Sequence, residues 1–223
     1  MGRFQPLLRL SVAASFGLCA IGSFSTACSS EFGRSASDEA DAGADVAVID
    51  GGPDGEPYPA PPYGFSVGNT VPNLILQTRI PPSTEWTYVP LSTYFDPFGR
   101  KGIKAIAIEV NKAGDVLTDQ AIAQLVGRAP LYADRGARLM EVLLPGADPA
   151  TREIGDAFIT KHAITFPVLL DPEKNINVDV APFRMFIDPR VMQIRKTTTG
   201  IGPAGYQFAP ELDEILQANG VKL

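Results

Sequence analysis

Residues 29–223 contain no cysteine; the two in the sequence are Cys19 and Cys28. This excludes a disulfide within that stretch, and any chemistry there that needs a protein thiolate. Histidine is nearly as scarce, with His162 alone, so a Cys/His zinc site lacks its ligands and no metal or other cofactor is expected. A lone histidine near the end of a helical stretch reads as a surface or helix-end residue. Basic charge is also short. The formal net charge is −6, and it is unevenly spread. Residues 1–28 carry Arg3 and Arg9 and no acid, residues 29–62 carry eight acids against Arg34, and residues 63–223 are left at −1. A nearly neutral body offers no concentrated basic face, which argues against nucleic acid as a partner.

The amino end has the pattern of a targeting segment over residues 1–27. Arg3 and Arg9 precede LSVAASFGLCAIGSFSTA, an apolar stretch rich in small residues. Ser25-Thr26-Ala27-Cys28 resembles a bacterial lipobox, with Ser25 where leucine is usual. That resemblance implies lipidation of Cys28 and a membrane partner through the lipid. Ser29 after the cysteine implies the outer membrane, facing the periplasm. Ordinary cleavage after Ala27, or an uncleaved membrane helix, is the alternative. Residues 28–62 are Asp-, Ala-, Gly- and then Pro-rich, the composition of a solvated tether with an extended end. The aspartates lack the fixed ligand spacing of a calcium loop.

From Tyr63 the composition becomes globular. Short strands are expected at 71–77 and 86–89, and strands buried on both faces at 103–110 and 139–144, where apolar residues run nearly unbroken. Helical spacing covers 121–133, with Gly127 and Pro130 expected to kink or break it, then 151–161 and 210–218. A short strand is read at 166–169. Residues 183–188 and 192–196 read as a hairpin around Asp188-Pro189-Arg190. This order predicts an α/β fold, a mixed sheet with helices on both faces and a β extension before it.

Two motif matches fail on context. Gly64-Phe65-Ser66-Val67-Gly68 has the G-x-S-x-G pattern of a hydrolase nucleophile, but a Pro-rich stretch precedes it and Asn69-Thr70-Val71-Pro72 starts no helix. Gly200-Ile201-Gly202-Pro203-Ala204-Gly205 follows a strand, but too little sequence follows it for a dinucleotide-binding unit.

Three stretches carry a more specific likeness: GFSVGNTVPNL at 64–74, FPVLLD at 166–171 and APFRMFID at 181–188. Together with the strand at 103–110 and the closing helix, they resemble the redoxin branch of the thioredoxin-like superfamily, which includes peroxiredoxins and membrane-tethered thiol–disulfide oxidoreductases. The resemblance covers residues 63–223. It implies a cis-proline loop at Ala181, Pro182 and Phe183. It also implies that the turn after the first central strand is where the family keeps its cysteines, at a helix amino terminus that favours the thiolate. The slot falls on Asp115, Val116, Leu117 and Thr118, with Asp115 and Thr118 in the cysteine positions of the preferred register. No register places a cysteine there. Asp115 is expected to cap the following helix instead.

The resemblance therefore implies a domain without catalytic residues. It is expected to act as a binding module for an extended peptide or an envelope protein, with Asp115, Leu117 and Thr118 lining the groove. The alternatives are a purely structural domain, an oxidoreductase or antioxidant peroxidase working with a partner's cysteine, and a hydrolase using Ser66.

Overall fold

The computed structural model describes residues 55–200 and 208–223. The expected targeting segment, Cys28, the expected tether up to residue 54 and most of the Gly200–Gly205 motif lie outside the described residues. The elements are β1 (Ile75–Arg79), β2 (Thr87–Pro90), β3 (Ala105–Lys112), α1 (Val116–Ala133), β4 (Ala137–Leu144), α2 (Arg152–His162), β5 (Val168–Leu170), β6 (Phe183–Asp188), β7 (Gln193–Thr199) and α3 (Phe208–Ala218). The strands form one sheet in the order β2-β1-β5-β4-β3-β6-β7. Pairs β3–β4 and β4–β5 are parallel and the others antiparallel, so the sheet is mixed.

Strand alternation sorts the apolar residues into two cores. On one side, Ala105 and Ala107 of β3 meet Ile122 and Leu125 of α1, with Phe158 of α2 and Leu212 of α3 in the same cluster. On the other, Ile106, Ile108 and Val110 pack with Tyr58, Leu74 and Leu91 of the amino-terminal extension. All three α-helices thus lie on one face, where both faces were expected to carry them. The residues along β3 fit this arrangement. Its alanine side leaves room for helices, while its branched side is covered by the extension and a 3₁₀ turn, Leu91–Tyr94.

The packed chain also begins before Tyr63. Tyr58 is buried and donates its hydroxyl to the Val71 carbonyl at 2.8 Å, and the Thr70 amide donates to the Pro62 carbonyl at 2.9 Å. Residues 58–62, the end of the expected tether, are therefore part of the extension. Helix α1 starts five residues earlier than expected and runs unbroken through Gly127 and Pro130. Ala129 and Tyr132 are buried on either side of Pro130, which itself faces solvent, so packing holds the turn that proline weakens. The Gly64–Gly68 stretch is a loop: the Gly64 amide donates to the Thr70 carbonyl at 3.0 Å, and no helix follows.

Gly155 of α2 yields one prediction. Alanine normally favours a helix interior over glycine. Here a Cβ would lie 2.7 Å from two ring atoms of Trp86, whose Nε1 is fixed to Asp156 at 2.8 Å. Gly155→Ala is expected to lower stability by about 1–3 kcal/mol. Urea unfolding showing a gain instead would mean that the ring moves aside freely.

Candidate functional site

The candidate site lies where β3 and β4 end and β6 begins. The turn after β3 is built closely: the Ala113 amide donates to the Leu144 carbonyl at 2.9 Å, and the Asp148 amide to the Ala113 carbonyl at 3.1 Å. Gly114 adopts φ +75, and a Cβ there would lie 2.9 Å from the Asp148 backbone nitrogen. Glycine meets both demands.

Asp115 then caps α1. Its Oδ1 accepts from the Leu117 amide at 3.1 Å, satisfying one of the free donors at a helix start. Thr118 turns inward: it is 3% exposed, and its hydroxyl donates to the Lys112 carbonyl at 2.8 Å. Val116 and Leu117 face outward, 69% and 43% exposed. Of the residues expected to line a groove, Thr118 is therefore a structural anchor, and the apolar surface is made by Val116 and Leu117. Asp115→Ala is expected to cost about 1 kcal/mol. Thermal unfolding showing no loss would mean that water replaces the cap at no cost.

The register of β3 against β6 pairs Val110 with Phe183, which brings the loop before β6 to the same end of the sheet as the Asp115 turn. In that loop the Ala181–Pro182 peptide is cis and Pro182 is buried. The Pro182 carbonyl accepts from the Gly200 amide at 2.8 Å. Phe183 is half-buried and packs on the extension side, while Val180 is 52% exposed. Val116, Leu117 and Val180 thus present apolar side chains at one end of the sheet.

Directly below this end, on the helix side, lies a group that sequence reading missed. Glu109 and Asn111 of β3, Glu141 of β4 and Arg184 of β6 are each no more than 2% exposed. Glu109 pairs in register with Glu141 on one side and with Arg184 on the other. The Asn111 amide nitrogen donates to Glu141 Oε1 at 2.8 Å and to Glu109 Oε1 at 3.4 Å, and the Arg184 guanidinium donates to Glu109 Oε1 at 3.3 Å. Burial pushes the Glu109 carboxyl up, with Arg184 partly opposing. Burial first, and then the neighbouring Glu109, push Glu141 well above the usual carboxylate range. The signal in the sequence was a single acid inside each apolar run, IAIEV and LMEVLL.

His162 Nε2 is 2.8 Å from Asp119 Oδ1, and Asp119 also takes Lys161 Nζ at 2.6 Å. These bonds tie the end of α2 to the first turn of α1. Among the described residues no group of three or more His, Cys, Asp or Glu could hold a metal ion, and no helix is long and apolar enough to cross a membrane.

No family model matches the chain, and no curated protein matches its sequence. Solved structures do resemble it. An uncharacterized conserved protein from Geobacillus kaustophilus aligns with a TM-score of 0.55 at 15% identity, over 71% of this chain and 86% of its own. A Chlorobium tepidum protein assigned as the thiol:disulfide interchange protein DsbE aligns with a TM-score of 0.53 at 18% identity, over 70% of this chain and 99% of its own. The fold is thioredoxin-like. AhpC of Mycobacterium bovis, of the same fold, aligns with a TM-score of 0.50 at 16% identity, over 70% of this chain and 91% of its own. In this thioredoxin-like domain the turn after β3 ends in a capping carboxylate.

Proposed function

We propose that the protein is a cell-envelope lipoprotein, anchored through Cys28 to the outer membrane and facing the periplasm. Its thioredoxin-like domain binds an extended segment of another envelope protein without catalysing thiol exchange. One observation carries this reading. At the amino terminus of α1 the Asp115 carboxylate is held by the Leu117 amide, with Val116 and Leu117 exposed beside it, in a chain without a cysteine in residues 29–223. Exchange and thiol peroxidation both begin with a thiolate, and an aspartate held as a cap supplies none. The exposed Val116, Leu117 and Val180 give an extended segment apolar contacts, and strand addition would supply its backbone bonds.

The fold shared with DsbE and AhpC favours a second reading, a domain that still serves thiol–disulfide chemistry. Here both reactants of the exchange, the attacking thiolate and the disulfide it reduces, would have to come from partners. Photocrosslinking separates the two readings from a structural spacer. A photoreactive residue is placed at Leu117 or Val180 in native envelopes, with Lys222 as control. A discrete adduct from the first two and not from Lys222 is expected, with a cysteine-free contact segment on the partner. A contact segment centred on a reactive cysteine would favour the second reading. Equal labelling from all three positions, or none, would overturn both.

A further inference from the structure

The buried group beneath the site does not balance as an array of ordinary charges. Two carboxylates and one guanidinium are buried together, leaving one negative charge uncompensated when both acids are ionised. Hydrogen bonding shows the same deficit independently. No protein donor reaches Glu109 Oε2, Glu141 Oε2 or Asn111 Oδ1, all of them buried. Both carboxyls also reach the same Asn111 nitrogen and are register neighbours on parallel strands, so they lie side by side.

We propose that Glu109 and Glu141 bind one proton between them, with Arg184 neutralising the remaining carboxylate, and that its release loosens the turn from Asn111 to Thr118. One proton brings the net charge to zero and supplies a donor between the two carboxyls. The link to the turn is covalent and short. Asn111, which holds both acids, is followed by Lys112, whose carbonyl anchors the Thr118 hydroxyl under the start of α1. Arg184 also donates to the Gly200 carbonyl at 2.9 Å, so the end of β7 feels the same change.

The elements packed around the pair bring other charged groups. Helix α1 carries Asp119, engaged by Lys161 and His162, and Arg128. Helix α3 carries Glu211, bound to Lys196 of β7 at 3.2 Å, Asp213, bound to Arg135, and exposed Glu214. The charges that act on the pair are each other's and that of Arg184. The raised affinity of both carboxyls for protons agrees with this arrangement. The proposal does not depend on which partner the site binds.

The sign follows from linkage. The native state holds a proton that the unfolded chain releases above the ordinary glutamate range, so stability must fall as pH rises until the native pair ionises. Over that window the folding constant of the full chain is expected to fall by about tenfold per pH unit, and Glu141→Gln, which keeps the shape and removes the need for a proton, should abolish this slope. Amide hydrogen exchange gives the second readout: as pH rises above the ordinary glutamate range, protection of residues 112–118 should drop in the wild type and hold in E141Q. Infrared spectra give the third. A protonated carboxyl band at neutral pH should be present in the wild type and reduced in E141Q. An unchanged slope in E141Q, or the absence of that band from the wild type, would overturn the shared proton. Equal loss of protection in both proteins would overturn its coupling to the turn.

Discussion

Replacing Arg184 with methionine is expected to lower folding stability by about 3–5 kcal/mol at neutral pH. Arg184 is 2% exposed, sits between Glu109 and the Gly200 carbonyl, and is the cation facing two buried acids. Methionine fills much of the volume but leaves Glu109 unpaired beside Glu141, and the Gly200 carbonyl loses its donor. Removing one member of a buried ionic group costs more than removing the group, because the survivor stays buried without compensation. Arg184→Met with Glu109→Gln should therefore recover much of the loss. The single variant also carries a pH signature. Without the guanidinium the Glu109 carboxyl moves further up, so the defect should be small in acid, where the carboxyl is protonated, and grow as pH rises. Urea unfolding at acid and at neutral pH measures this. A loss under about 1 kcal/mol, or a loss independent of pH, would mean that Arg184 does not compensate the buried acids.

The second large effect belongs to Phe186. It is fully buried at the centre of β6, on the helix side of the sheet, in the cluster that holds Leu212, Ile215 and Leu216 of α3. Its register partner on β3 is Ala107, whose small side chain leaves the ring its space. Phe186→Ala removes a fully buried ring and should cost about 3–5 kcal/mol. Met185, the next residue, faces the extension side, and Met185→Leu conserves volume, so it should cost less than about 1.5 kcal/mol. Denaturant midpoints for the two variants measure both costs. A loss under about 1 kcal/mol for Phe186→Ala would mean that the helix-side core closes over the vacated space.

Much of this protein is decided by the order of its residues. The apolar runs produce β3, β4 and β6 within a few residues of where their patterns predict, because strands buried on both faces tolerate few alternatives, and the Asp188-Pro189-Arg190 turn sets where β7 follows. Asp115 caps α1 because a short acceptor before a helical stretch meets its own chain's free amides, a local event needing no tertiary partner. The missing cysteines in residues 29–223 are equally a matter of composition, and they alone remove a thiolate from the turn after β3.

Tertiary structure decided the rest. Which side of β3 receives helices depends on how the crossovers pass over the sheet, and the alternation of alanine with isoleucine and valine gains meaning only against what covers each side. Thr118 looked like a groove residue until the turn closed and its hydroxyl found the Lys112 carbonyl. Glu109, Glu141 and Arg184 stand far apart in the chain and meet only through register across three strands. A charge within an apolar strand is visible in sequence, but its partner is chosen by strand pairing, and pairing belongs to the whole sheet.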